Sequence, residues 1–224
     1  MLVSLTRKKF EQIVPLIATG VQYRYYWGKL SDLLRRLLIS FIAVLSVLLI
    51  GALFGKAGES VTFIFAAIVG LYWLWAPIYW ASLRNAACRR FQYSGFFRGR
   101  VLDVFVTEEL IGEQQTVNNR GELVVVENRE RRLNLEIGDE TGFQTQLQAP
   151  LRRIHQVIAP GQIVELLVLS HQSDLSRIAK ITDAYLPTHQ LWVGEYPYLR
   201  RDMFAQVSRQ LREAEEQRRE KVRG

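Results

Sequence analysis

The 224-residue chain holds one cysteine, Cys88, and three histidines, His155, His171 and His189. A single thiol excludes an internal disulfide and any zinc site built from several cysteines. Cys88 reads as a small apolar residue at a helix end, with S-acylation at a juxtamembrane position as the alternative. No histidine has a cysteine, a carboxylate or a second histidine at ligand spacing, so no metal site is expected. Neither GxxxxGKS/T nor GxGxxG occurs, which removes two familiar phosphate cradles. Ser170, His171 and Asp174 are close only along the chain, and no nucleophile elbow surrounds a serine. The acids Glu108 and Glu109, and Asp139 and Glu140, sit beside turns and read as solvated charges. No catalytic residue and no cofactor is assigned.

Charge is missing altogether from two stretches. Residues 37–54, LLISFIAVLSVLLIGALF, contain no ionisable side chain. Residues 61–83, VTFIFAAIVGLYWLWAPIYWASL, contain no charged residue either. A helix rising 1.5 Å per residue needs about 20 apolar residues to cross roughly 30 Å of hydrocarbon. Both runs meet that length once their flanks are counted, and only Gly-Lys-Ala-Gly-Glu-Ser separates them. The pattern predicts a transmembrane helical hairpin over residues 37–83. Neither run offers a histidine ligand, a proton relay or an intramembrane ion site. Pro77 is expected to kink the second helix.

The cations that are present cluster at the hairpin's ends. Residues 1–36 hold seven Lys or Arg against Glu11 and Asp32, and residues 84–100 hold five Arg with no acid. Lys and Arg near a span favour the cytoplasmic side, so both flanks are expected there, with only the loop at 55–60 outside. The net charge of +7 is therefore a topology signal and no sign of nucleic-acid binding.

Residues 1–36 form an amphipathic and juxtamembrane segment. Phe10, Ile13, Val14 and Ile17 recur at helical spacing within 6–19, as in a helix lying on a membrane surface, with a partner-docking helix as the alternative, and Pro15 is expected to bend or end it. Tyr23, Tyr25, Tyr26 and Trp27 precede the first run, where amphipathic rings prefer the headgroup zone. Ser31 is the expected helix cap. In the second run Tyr72, Trp75 and Tyr79 fall on one helical stripe at i, i+3 and i+7. They are the candidate contact for a partner, with an interfacial belt as the alternative.

After a basic linker at 84–95 the pattern changes. Residues 96–199 show alternating runs at 100–106, 122–126, 132–137, 143–147, 163–169 and 178–181. Turn residues separate them at 118–121, 138–142 and Pro160-Gly161. Five or six short strands predict a small OB-like β-barrel, closed or half-closed. Fourteen acidic against eight basic residues over 101–199 repel a phosphate backbone, so nucleic acid is not an expected partner. Residues 200–224 read as a charged helical tail with a brief apolar stripe at Met203, Val207 and Leu211.

The blocks LIATGVQYRYYWGKLSDLLRRLLIS, GLYWLWAPIYWASLRN and RGRVLDVFVTEELIGEQQTVNNRGELVVVENRERRLNLEIGDETGF resemble a cyanobacterial membrane-protein family that often bears the label "phosphate ABC transporter permease". The resemblance covers nearly the whole chain and implies a photosynthetic organism, hence a plasma or thylakoid membrane. It brings no site residues. Permeases of the labelled class have five or six spans and an EAA-like coupling loop, whereas this chain has two apolar runs and no such loop. The expected role is a non-enzymatic integral membrane factor. It would present a cytoplasmic β domain to a larger membrane complex, such as a photosystem under assembly or regulation. An accessory transporter subunit is the alternative.

Overall fold

The N-terminal residues form a strand. β1, Leu2–Leu5, pairs antiparallel with the start of β2, Tyr93–Val117, setting Leu2 opposite Phe97 and Leu5 opposite Ser94. This computed structural model describes residues 1–117 and 123–223, so the turn expected at 118–121 lies outside the described residues. The β1–β2 pairing draws Met1–Ile13 into one compact unit with Phe91–Gly224, while Val14–Arg90 form a second. The segment expected to be juxtamembrane is thus divided between the units. Helix α1, Arg7–Ile13, was expected to lay its apolar face on a membrane. Phe10 and Ile13 are instead fully buried within the sheet unit, where α1 packs on β2 and on the C-terminal helix.

The sheet is antiparallel throughout, and its elements follow the alternation of the sequence. They are β3, Leu123–Gly138; β4, Gln144–Pro150; β5, Ile163–Ser170; β6, Ile178–Ile181; β7, Ala184–Leu186; and β8, Leu191–Val193. Strand order is β4-β3-β2-β5-β7-β8, with β1 added to β2 and β6 to β5. Phe97, Leu133, Leu135, Leu147, Val164 and Leu166 from β2 to β5 share one core with Ala184, Leu186 and Val193 from the other end of the path. The sheet therefore curls around that core. Among the described residues β4 and β8 are not paired, so the strand path keeps two ends and the OB-type closure is not recorded.

Strand β5 is apolar on both sides because both sides are covered, as expected of a central strand. Val164, Leu166 and Val168 enter the core. The alternate face holds Glu165, which is completely buried. Its carboxylate accepts a hydrogen bond from Ser208 Oγ at 2.7 Å and lies 3.7 Å from Arg98 Nε. Ser208 belongs to α6, Arg201–Arg223. That helix docks through Phe204, which meets Phe96 and Trp192 at 5.3 Å between ring centroids.

Beyond Leu110 and Arg129 the strands β2 and β3 pair only with each other among the described residues, as far as Val117 opposite Leu123. Seven residues of strand reach about 23 Å, so the two form a projecting ribbon. Register shifts at Val101/Asp103 and Leu110/Gly112 mark bulges, which bend a strand. The ribbon exposes Leu110, Ile111, Leu123 and Val125.

One buried acid fixes the connection from β8 to α6. Asp183 Oδ1 accepts the backbone N–H groups of Tyr198 at 3.0 Å and Leu199 at 3.2 Å. Gly194 approaches so closely that a Cβ there would sit 2.7 Å from the Asp183 Cβ. Burial pushes the Asp183 carboxyl up to about 7, although those two N–H groups and Arg201 favour its charge. A raised acid keeps its proton in the fold where the unfolded chain has already lost it. The fold therefore loses stability as pH rises from the ordinary carboxylate value of 3.8 to about 7, with no further loss above. Asp183→Asn retains an acceptor for both N–H groups and removes the charge. Thermal unfolding of this variant should show a flatter pH profile between about 4 and 7, with a gain over wild type at pH 8 and none at pH 4. An unchanged profile would show that the acid does not titrate in this range.

The helical unit contains α2, Gly20–Trp27; α3, Leu30–Ala52; α4, Glu59–Gly70; and α5, Tyr72–Arg89. One helix, α3, is by itself long and apolar enough to cross a membrane. It starts at Leu30, with Lys29 and not Ser31 at its N-cap, and the Lys29 N–H bonds the Asp32 carboxylate at 2.8 Å. Gly28 precedes it with a φ of 70°, a conformation glycine adopts at little cost. The helix expected over 61–83 is not continuous. α4 and α5 meet at Leu71 with a bend of 66°, and pass the same length test only as a pair. The bend falls beside Gly70, six residues before Pro77, which lies inside α5. Close packing of α3 on α4 depends on Gly51, where a Cβ would collide with the Thr62 side chain.

Candidate aromatic contact site

The three residues chosen from the sequence are neighbours on α5. Tyr72 and Trp75 meet edge to face with centroids 5.2 Å apart, and Trp75 meets Tyr79 the same way at 6.1 Å. Trp80 extends the row, 5.4 Å from Tyr79. Such T-shaped pairs set the positive ring edge on the negative face of the next ring. Trp75, Tyr79 and Trp80 remain 37%, 51% and 47% exposed.

The break at Leu71 places the row, and two side chains satisfy the backbone there. Trp75 donates its indole N–H to the carbonyl of Ile68, across the bend, at 2.9 Å. Ser40 of α3 accepts the backbone N–H of Trp73 at 3.2 Å. Trp73, at the first turn of α5, has no helical carbonyl to bond. An unmet N–H in an apolar surrounding costs about 1–3 kcal/mol, so the Ser40 hydroxyl stabilises the break. Trp75 is thus both an exposed ring and a tie across the bend.

The opposite side of α5 faces α2. Gln22 and Asn85 are completely buried and exchange two side-chain hydrogen bonds, Gln22 Nε2 to Asn85 Oδ1 at 3.0 Å and Asn85 Nδ2 to Gln22 Oε1 at 2.8 Å. Gln22 Oε1 also accepts the Thr19 N–H at 3.0 Å, and Thr19 caps α2 in return. Ser82 accepts the Ala18 N–H at 3.1 Å. Trp27 meets Trp73 edge to face at 6.2 Å. Arg36 closes the C-terminal end of α2 by donating to the carbonyls of Tyr26 and Trp27. None of these roles was assigned from the sequence. Thr19-Gly-Val-Gln22 is nevertheless a capping-box pattern, the local signal that marks the start of α2.

Elsewhere the polar residues are engaged in structure. His155 is buried and accepts the Arg152 N–H, and burial, aided by the Arg152 charge, lowers its pKa. His171 stacks on Phe91 at 4.9 Å. Ser170 donates to the Arg177 carbonyl at 2.6 Å and Asp174 accepts from Ser176, so the two hold a turn together. Asp139, expected to be solvated, is largely buried. Burial raises its pKa, but the Met1 ammonium at 2.8 Å and two hydrogen bonds from Thr141 outweigh that and hold it at about 2. A cleft of about 680 Å³ opens beside it, lined among others by Arg98, Arg100, Glu140 and Arg212. Cys88 is fully buried, which suits a small apolar side chain and removes it from acylation. Among the described residues no three His, Cys, Asp or Glu side chains converge as metal ligands.

A family of unknown function, DUF8619, matches residues 3–218. The chain belongs to this family. No curated protein and no solved structure matches it. The match spans both units, so the helical unit and the sheet unit belong to one family architecture.

The buried amide pair gives a direct test of the α2–α5 contact. Asn85→Leu should destabilise the detergent-solubilised protein by about 1–3 kcal/mol, because the Gln22 amide loses its partner. Gln22→Met and Asn85→Leu together should cost less than the sum of the two single changes. Additive losses in denaturant titrations would show that the pair does not act as a unit.

Proposed function

We propose that the chain is a non-enzymatic membrane-anchored factor. Its helical unit inserts as a two-crossing hairpin, and its sheet unit works at the cytoplasmic face as a docking domain for a larger membrane complex. One observation carries the reading. β1 and β2 flank the helical unit in sequence and pair with each other in one sheet. Both ends of the segment 14–90 therefore start and finish on the same side. If α3 crosses, the chain must cross back before Phe91, and only the bent pair α4–α5 is available to do so. Exposed apolar surface on α3 and α4, including Phe41, Leu45, Leu49, Phe63 and Phe65, suits lipid contact. The basic flanks hold both ends inside. A closed barrel is not required for this role.

The projecting ribbon supports the docking part. A two-stranded hairpin is marginal alone in water, and its exposed Leu110, Ile111 and Leu123 offer a partner apolar area. Unpaired strand edges offer it backbone hydrogen bonds as well.

Cysteine accessibility tests the anchoring. In a Cys88→Ala background, Ser60→Cys should react with an impermeant maleimide added to intact right-side-out vesicles, and Glu127→Cys should react only after the membrane is opened. The reverse labelling would falsify the orientation and with it the cytoplasmic role.

Affinity purification from mild detergent tests the docking. Replacing Leu110, Ile111 and Leu123 by Ser should abolish co-purification of a membrane complex. Replacing Tyr72, Trp75 and Tyr79 by Leu, which keeps the segment apolar, should reduce it if the aromatic row is a partner contact. Recovery of the same complex at wild-type yield from the ribbon variant defeats the docking role. The same yield from the aromatic variant limits the row to lipid.

A further inference from the structure

Helix α5 turns its large apolar side chains outward. Its buried side holds Ala76, Pro77, Ala81, Asn85 and Cys88. The other side, beginning at the bend, presents Leu71, Leu74, Trp75, Ile78, Tyr79 and Leu83, each between 37% and 51% exposed. Those positions advance in steps of three, four and one, so they form one continuous stripe along the helix. A continuous apolar stripe on a surface helix marks contact with another apolar phase.

Three lengths identify the phase. First, the Trp73 N–H on Ser40 sets the start of α5 level with Ser40 on α3. That level is four residues, about 6 Å, below Arg36, the last basic residue before the apolar run of α3. Second, α5 leaves the line of α4 at 66°. With α4 along the membrane normal, the twelve-residue advance from Leu71 to Leu83 climbs about 7 Å. Arg84 then arrives close to the level of Arg36, and the whole stripe lies in the layer between. Third, a straight continuation would climb about 18 Å over the same residues. It would carry Tyr79, Trp80 and Leu83 about 3, 4 and 9 Å past the level of Arg36. The bend holds them at the depth where Trp and Tyr are best solvated, one end apolar and the other hydrated.

We propose that α5 is an interfacial helix. It slants through the headgroup layer of the cytoplasmic leaflet, and its stripe rests on the acyl boundary. The return crossing is shared: the twelve residues of α4 climb about 18 Å, and α5 adds about 7 Å as it slants through the cytoplasmic boundary. The occupant of the stripe is lipid, and the lipid is anionic. Arg24, Lys29, Arg35 and Arg90 stand exposed near the cytoplasmic ends of α2, α3 and α5, and cations in the same layer as an aromatic and leucine face are the pattern of helices that bind anionic membrane surfaces.

The inference rests on membrane insertion, and a depth measurement separates the two. Full-length protein in a Cys88→Ala background receives a nitroxide label at Leu71→Cys or at Leu83→Cys. It is reconstituted into vesicles of phosphatidylcholine with phosphatidylglycerol. Relative accessibility to oxygen and to a water-soluble nickel complex then gives each label's depth. A separation below about 12 Å, midway between the two geometries, is expected, with both labels near the headgroups. A larger separation overturns the interfacial helix while leaving a two-crossing hairpin in place. Labels that never reach lipid overturn both. Labels shielded from oxygen and nickel alike assign the stripe to a protein and overturn the lipid contact. If Leu71→Cys disturbs the bend, Leu74→Cys with Leu83→Cys repeats the test, with about 5 Å expected against about 13 Å for a straight helix.

Discussion

Backbone polar groups in an apolar setting must find partners, and the helical unit is arranged around that demand. A break in a helix frees N–H and C=O groups that water would satisfy at a surface but hydrocarbon cannot. The break at Leu71 is tolerated because Ser40 reaches across from α3 to the Trp73 N–H and the Trp75 indole reaches back to Ile68. The bend sets the direction of α5, and that direction decides which residues face outward. Ser40 is one of two hydroxyls in the apolar run of α3, yet the exposure of the aromatic row depends on it.

The sheet unit solves the same problem with charge. Glu165 lies in the middle of the central strand, where a carboxylate is costly to desolvate. It is retained with two partners from different elements, Ser208 on α6 and Arg98 on β2. Asp183 takes two backbone N–H groups from the segment leading into α6. Both acids face that helix or its approach. The docking of α6 is therefore polar at its anchor points and aromatic around them, through Phe204, Phe96 and Trp192.

Much of this was legible in the sequence, and the exceptions share a cause. The strands came from period-two alternation, a local signal, although β5 is buried on both of its faces. The aromatic stripe at Tyr72, Trp75 and Tyr79 was visible because helical spacing alone sets it. β1 was missed because four residues hold no period, and only β2, far along the chain, gives them a partner. The apolar face of α1 was real but assigned to lipid, since a pattern of exposure to something apolar does not say what that something is. The bend was placed at Pro77 because proline is the strongest local breaker. It sits at Leu71 because tertiary partners for the released backbone groups exist there. The pairing of Gln22 with Asn85 carries no local signal, and only the folded arrangement shows that each is the other's solvent.

The pairing of β1 with β2 also bears on how the molecule is made. Met1 donates to the Arg98 carbonyl, a partner 97 residues later in the chain. A ribosome working from the N-terminus therefore releases the first strand long before its neighbour exists. During that interval the strand and the buried face of α1 have nowhere to pack, and the helical segment is synthesised between them and their sheet. Closing so wide a loop in a free chain is entropically slow to reward. A hairpin that inserts as it emerges returns both of its ends to one surface and shortens the search to two dimensions. On the proposed reading the membrane then acts as a template for the sheet, and biogenesis of the two units becomes sequential, anchor first and docking domain second.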